Sequence, residues 1–277
     1  MLSTKDIEIL ISTVEKTSLS FLEEMFPFSH YSNYNILIVN QTTESNVLTS
    51  DYKRVRVVNS FKKGLSISRN IALKNAKLDI CLLADDDVIY DKEFEGNIKN
   101  AFKRYKEADI ISFQMVNSMG NLYTKYPSIV KHDKKTVKTV NSVVIALKRS
   151  AIINNCVTFN THFGLGSVFE TADEYVFLRS ALRNNLKIFF EPKIILKHPC
   201  FSSGTAVSSD KVIFARSAVF YKYNGVLTYL KLWHHLFLLF KSNDLKINKI
   251  LKKYNVGLKG IKKYRSLLNI GLEKRNS

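Results

Sequence analysis

Asp79-Ile80-Cys81-Leu82-Leu83-Ala84-Asp85-Asp86-Asp87-Val88-Ile89-Tyr90 is the stretch on which the fold turns. An apolar run of strand length ends in three carboxylates. Both faces of the run are apolar, which predicts a central strand buried between two layers. In open α/β sheets, ligands sit outside the carboxyl ends of such strands. Three adjacent carboxylates repel one another unless positive charge lies among them. Asp85 and Asp87 are one residue apart, so one can hold a divalent cation while another holds a sugar or the cation's water. Hard cations such as Mg²⁺ or Mn²⁺ take oxygen ligands, usually one or two carboxylates plus substrate phosphates. The plainer alternative is a turn whose aspartates cap a helix starting near Asp91.

The surrounding chain supports a sheet. Ile7 to Thr13, Asn35 to Asn40 and Arg54 to Val58 read as strands, with a helix over 18–26. About 28 residues separate the first two strand starts, the rhythm of a parallel βαβ unit. Lys62-Lys63-Gly64-Leu65-Ser66-Ile67-Ser68-Arg69-Asn70 opens a helix that runs to about Ala76, with Ser66 as its cap. Basic residues around a helix N-terminus make an anion site, although an ordinary amphipathic helix fits the same letters. A helix is expected from Asp91 to Lys106, strands over 109–115 and 142–147, and an irregular Lys- and Tyr-rich loop over 117–138.

A second stretch, Gly164-Leu165-Gly166 running on to Asp173-Glu174-Tyr175-Val176-Phe177-Leu178, is a glycine loop entering a helix. Acids in a first turn are favoured by the helix dipole alone. Glu174, however, shares a helical stripe with Leu178, Ala181 and Leu182, so it is expected to face inward. A carboxylate partly buried at the mouth of a cleft moves toward the pKa range of a general base. Two short extended pieces follow, 187–192 and 194–199, the second carrying His198. A strand-end histidine is commonly structural, but it can complete a metal site begun by Asp87. Ser202-Ser203-Gly204-Thr205 fits a mobile, phosphate-friendly loop.

Composition bounds the alternatives. The chain has 277 residues, 45% hydrophobic and 12% aromatic, enough for one large α/β domain or for one domain with an appendage. Cys81, Cys156 and Cys200 show neither metal-ligand nor disulfide spacing, which fits a reducing compartment. No signal pattern opens the chain, and no apolar run reaches transmembrane length. The net charge of +18 calls for an anionic partner. From 241 to 277 there are eleven Lys or Arg against Asp244 and Glu273. From Asp210 the chain reads as helical, an aromatic-apolar segment (226–240) leading into this basic one. That pattern suits an anionic membrane surface, or a helical hairpin packed on the core with solvated lysines. Nucleic-acid binding would also use the charge, but zinc-ligand spacing, RNP aromatics and a helix-turn-helix are missing.

The order of these motifs resembles the family-2 glycosyltransferases, bacterial capsular or surface-polysaccharide enzymes in particular, over roughly residues 5–205. The resemblance implies a GT-A (Rossmann-like) α/β fold: a mostly parallel central sheet flanked by helices, with a helical C-terminal extension. It implies a nucleotide-sugar-binding half (1–115), an acceptor half (116–205) and a variable region (206–277). Asp85-Asp86-Asp87 resembles the family's DxD motif, with Asp87 as metal ligand and Asp85 and Asp86 as donor contacts. Thr13 and Glu15 stand where the family's first loop meets the nucleotide. Arg69 matches the arginine of a Ser-Arg-Asn segment near the donor, and His198 a histidine that approaches the metal or diphosphate. Asp173-Glu174 is similar to the family's catalytic acid pair, with Glu174 as base. Where the family often carries Asp-Asp-Gly-Ser, this chain reads Asn40-Gln41-Thr42-Thr43, and Asn40 takes the nucleotide position.

The implied reaction is inverting, dependent on Mn²⁺ or Mg²⁺, from a nucleotide-sugar (a UDP-sugar) to a glycan or polyprenyl-diphosphate-linked acceptor. The expected location is cytoplasmic, peripheral on the inner face of the membrane, with no nucleic acid partner. A GT-A nucleotidyltransferase is the other enzyme considered, but Thr13-Val14-Glu15-Lys16 lacks the glycine-rich loop it needs.

Overall fold

The computed structural model describes residues 6–198 and 207–274. They fall into two compact units, Met1–Asn160 with Glu174–Cys200, and Thr161–Asp173 with Phe201–Ser277. The loop expected at 202–205, together with Pro199 and Cys200, lies outside the described residues.

The first unit runs β1 (Ile7–Val14), α1 (Phe21–Met25), β2 (Asn35–Gln41), β3 (Val55–Ser60), α2 (Leu65–Asn75), β4 (Ile80–Asp85), β5 (Ile89–Tyr90), α3 (Phe94–Arg104), β6 (Ile110–Val116), β7 (Ile145–Lys148), α4 (Arg149–Asn154), α5 (Asp173–Arg183) and β8 (Ile188–Lys197). Asp173, the first residue of α5, groups with the second unit. The described strands form one sheet in the order β3-β2-β1-β4-β7-β6-β8-β5. Neighbours from β3 through β4 are parallel, as are β6 and β8, while β7 and β5 run antiparallel to theirs. Apart from Val14 at the end of β1, the apolar residues of β1, β2 and β4 are buried on both faces, as their unbroken hydrophobic runs require.

Local departures have local causes. The helix expected over 18–26 is one short turn, because Pro27 forces Phe26 out of helical geometry. Ser66 does not cap α2. Gly64 does, at φ 131°, and its N–H donates to Gln41 Oε1 at 2.6 Å. The helix expected from Asp91 begins at Phe94, since Ile89–Tyr90 first pair with β8. The pieces expected at 187–192 and 194–199 are one strand, β8. Its register against β6 slips where Glu191-Pro192-Lys193 bulges, the place for a residue with no N–H to give. The strand expected from Ser142 opens with a tight turn, Ser142–Val144, capped by the Asn141 side chain on Val143 N.

The second unit is built on α6 (Asp210–Asn224), α7 (Thr228–Lys241) and α8 (Ile250–Asn269). Helix α8 meets α6 and α7 at two glycines. A Cβ on Gly260 would overlap the Phe214 carbonyl, and one on Gly257 would overlap Leu232. Phe163 and Phe169, stacked 5.0 Å apart, pack on Tyr264 of α8 and hold the glycine loop 161–173 in this unit. Lys222 is buried and neutralised by Glu273 at 2.8 Å, with the Tyr264 hydroxyl donating to the same carboxylate.

Candidate active site

Register assembles the site. Ser12 lies opposite Asp85, Thr13 opposite Asn40, and Asn40 opposite Asn59. A polar row therefore crosses the carboxyl ends of four parallel strands, where a doubly covered sheet opens to ligand. Each carboxylate of the triplet meets a basic side chain from a different segment. Asp85 accepts from Arg69 Nη2 at 2.9 Å. Asp86 accepts from the Thr13 hydroxyl at 2.5 Å and pairs with Lys16 Nζ at 3.1 Å. Asp87 Oδ1 lies 3.5 Å from His198 Nε2. Arg69 and Lys16 thus answer the like-charge repulsion at Asp85 and Asp86 within the protein.

Arg69 differs from its expected place at a helix N-terminus. It faces the sheet from the inner side of α2 and is buried, hydrogen-bonded to Asp85 and Ser142 Oγ and set 5.5 Å from the Phe159 ring. Its guanidinium fixes Asp85 and is not presented to solvent. Asn40 is also fully buried. Its side chain accepts from Lys16 N, donates to Lys16 O, and donates to Asn59 Oδ1. It shapes the loop after β1. Thr13 is buried with its hydroxyl on Asp86, while Glu15, at φ 51°, is exposed. Tyr90 is buried nearby. Burial first, and Asp85 second, push its phenol above the usual range.

A cleft of about 700 Å³ opens beside this row, lined by Glu15, Lys16, Phe21, Asp86, Asp87 and Ile89 among others. Lys16 and Ser142 are the residues that the sequence reading missed. Lys16 had a signal: it is a cation in the loop directly after the first strand. Ser142 had none, because it meets Arg69 across 73 residues of sequence.

Asp173 and Glu174 open α5, on an element separate from the triplet. The inward residue is Asp173, with Phe177 and Ala181 below it, whereas Glu174 is half-buried. Gly164 makes room for Asp173: a Cβ there would stand 3.0 Å from the Asp173 carboxyl carbon.

For a divalent cation the donor chemistry fits. Asp87 is half-exposed, and His198 is buried with its ring edge-on to Tyr123 at 5.6 Å. No cluster of three or more His, Cys, Asp or Glu occurs among the described residues. A carboxylate and an imidazole are the share that a protein supplies when phosphates and water complete the shell.

Residues 9–167 match the family model for Glycosyl transferase family 2. No curated protein matches the sequence. Crystal structures of S. aureus TarS share the fold. TarS 1-349 aligns at TM-score 0.55 and 12% identity over 96% of this chain and 92% of that one. Its complex with UDP-GlcNAc aligns at 0.58 and 13% over 95% and 83%. Its complex with UDP aligns at 0.54 and 12% over 96% and 92%.

Proposed function

This chain belongs to glycosyl transferase family 2, and from that premise we propose that it moves a sugar from a UDP-sugar, with inversion, to a hydroxyl of a glycan acceptor in surface polysaccharide synthesis. One observation carries the reading. Three carboxylates end β4, each beside a basic group from another segment, at the edge of an open cleft. The choice of uridine draws support from the TarS complexes with UDP-GlcNAc and UDP.

In this reading Glu15 and Lys16, on the loop that Asn40 shapes, meet the nucleotide. The Lys16 ammonium turns from Asp86 toward the diphosphate. Asp85, oriented by Arg69, and Asp86 receive sugar hydroxyls. Asp87 and His198 hold Mn²⁺ or Mg²⁺, which would offset charge developing on the leaving nucleoside diphosphate. Glu174 takes the acceptor proton while that oxygen bonds to the anomeric carbon, opposite the departing phosphate. Asp173 is the neighbour of Glu174 in sequence and packs beside Gly164. The acceptor is carried on a polyprenyl diphosphate, and the basic C-terminal region meets the anionic inner face of the membrane.

The test is nucleoside diphosphate release from UDP-, GDP- and dTDP-sugars with Mn²⁺, then with EDTA, beside Asp87→Ala. Release from UDP-sugars alone, lost with EDTA and in the variant, is expected. Release that survives both treatments sinks the metal assignment, and release from another nucleotide sinks uridine.

A further inference from the structure

Helix α7 has two apolar faces where a packed helix needs one. Thr228, Leu232, Leu236 and Leu239 are buried. On the other side Leu230, Trp233, Phe237 and Phe240 recur at offsets of three, seven and ten, and with Val226 in the turn just before the helix all are exposed. Leu230 is 71% exposed, Phe237 56% and Trp233 41%. Contiguous exposed apolar surface of this kind marks an interaction site. The helix is too short to cross a bilayer: its fourteen residues span about 21 Å against an apolar core of about 30 Å. No described helix is long and apolar enough to do so.

Charge selects the occupant. Lys231 lies within α7, Lys241 ends it, Lys246, Lys249 and Lys252 follow in the chain, and Asp244 is the one acid between 226 and 252. A second copy of the chain would set lysines against lysines. An anionic bilayer offers apolar depth to the ridge and negative headgroups to its rim. We propose that α7 lies in the plane of an anionic phospholipid surface with Leu230, Trp233, Phe237 and Phe240 inserted, so that the ridge, rather than the lysine-rich tail alone, is the docking element. This deepens the membrane contact proposed above and rests on it for the identity of the surface.

Trp233, whose ring also stacks on Tyr254 of α8 at 4.4 Å, is the sole tryptophan of the chain, so its emission reports this part of the ridge. The experiment titrates the full chain with phosphatidylcholine vesicles, with and without phosphatidylglycerol. Fluorescence and co-sedimentation are followed for the wild type, for Leu230→Ser/Phe237→Ser, and for Lys241, Lys246, Lys249 and Lys252 changed together to Gln. UDP binding and circular dichroism check the fold. The wild type should sediment with anionic vesicles and shift its emission to the blue. The apolar pair should lower affinity about tenfold or more while still binding UDP, and the lysine variant should lose the preference for phosphatidylglycerol. Wild-type sedimentation that the apolar pair leaves unchanged overturns the ridge and leaves the basic tail as the contact. No wild-type binding overturns both. A wild-type dimer that the apolar pair converts to monomer, without a vesicle-induced shift, assigns the face to a second copy and overturns the proposal.

Discussion

Single side chains separate the groups proposed for chemistry from those that hold them. Glu174 is half-buried at the start of α5, and Asp173 is buried beside Gly164. If Glu174 is the base, Glu174→Gln keeps the shape and removes the proton acceptor. Turnover should fall by about 10²–10⁴-fold, with UDP affinity in a calorimetric titration unchanged. Loss of UDP binding in step with turnover would make Glu174 a structural residue. Asn40, Thr13 and Arg69 were read in the sequence as donor contacts. Their burial and their bonds to Lys16, Asp86 and Asp85 set them one layer behind the cleft surface. Polarity at a strand end was legible in the letters. Which polar group faces ligand and which supports its neighbour depends on which face of the pleat or helix it occupies.

At the scale of elements, glycine shows how the same letter works in two ways. Gly260 in α8 lies against the Phe214 carbonyl, whereas Gly96 in α3 is exposed with nothing near its missing Cβ. Gly260→Ala should destabilise the protein by about 1–3 kcal/mol through overpacking. Gly96→Ala should stabilise it by up to about 1 kcal/mol through helix propensity. Denaturant titration of both variants reads the two signs, and a neutral Gly260→Ala would show that α6 and α8 can part at little cost. Strands β1, β2, β4 and β6 were legible from apolar runs alone. Helix starts were not: the beginnings of α2 and α3 are set by Gln41 reaching Gly64 and by β5 pairing with β8, contacts across distant sequence.

Over the whole molecule, each compact unit carries one histidine kept neutral by burial. His132 sits at about 4, burial outweighing Asp133, with Nε2 on Ser112 Oγ at 2.8 Å. His235 also sits at about 4, through burial and then Arg216 and His234. With a folded pKa below the ordinary 6.5, the unfolded chain binds the proton first as pH falls. The stability is whole above about pH 6.5 and drains between 6.5 and 4, by up to about 3 kcal/mol for His132. Denaturation followed from pH 7 to pH 4 should show this slope, and His132→Asn should flatten it; an equal slope in the variant removes His132 as the cause. Legible from the residues alone were the α/β class, the family, the carboxylate triplet at a strand end and the basic helical C-terminus. Apolar periodicity and the order of short motifs are local properties. The tertiary structure alone decided the pairing of Asp85 with Arg69, of Asp86 with Lys16 and of Asp87 with His198, the inward turn of Arg69, the place of Lys16 in the cleft and the outward face of α7. Those depend on strand register and on which helix face finds a partner, and neither is set by neighbours in sequence.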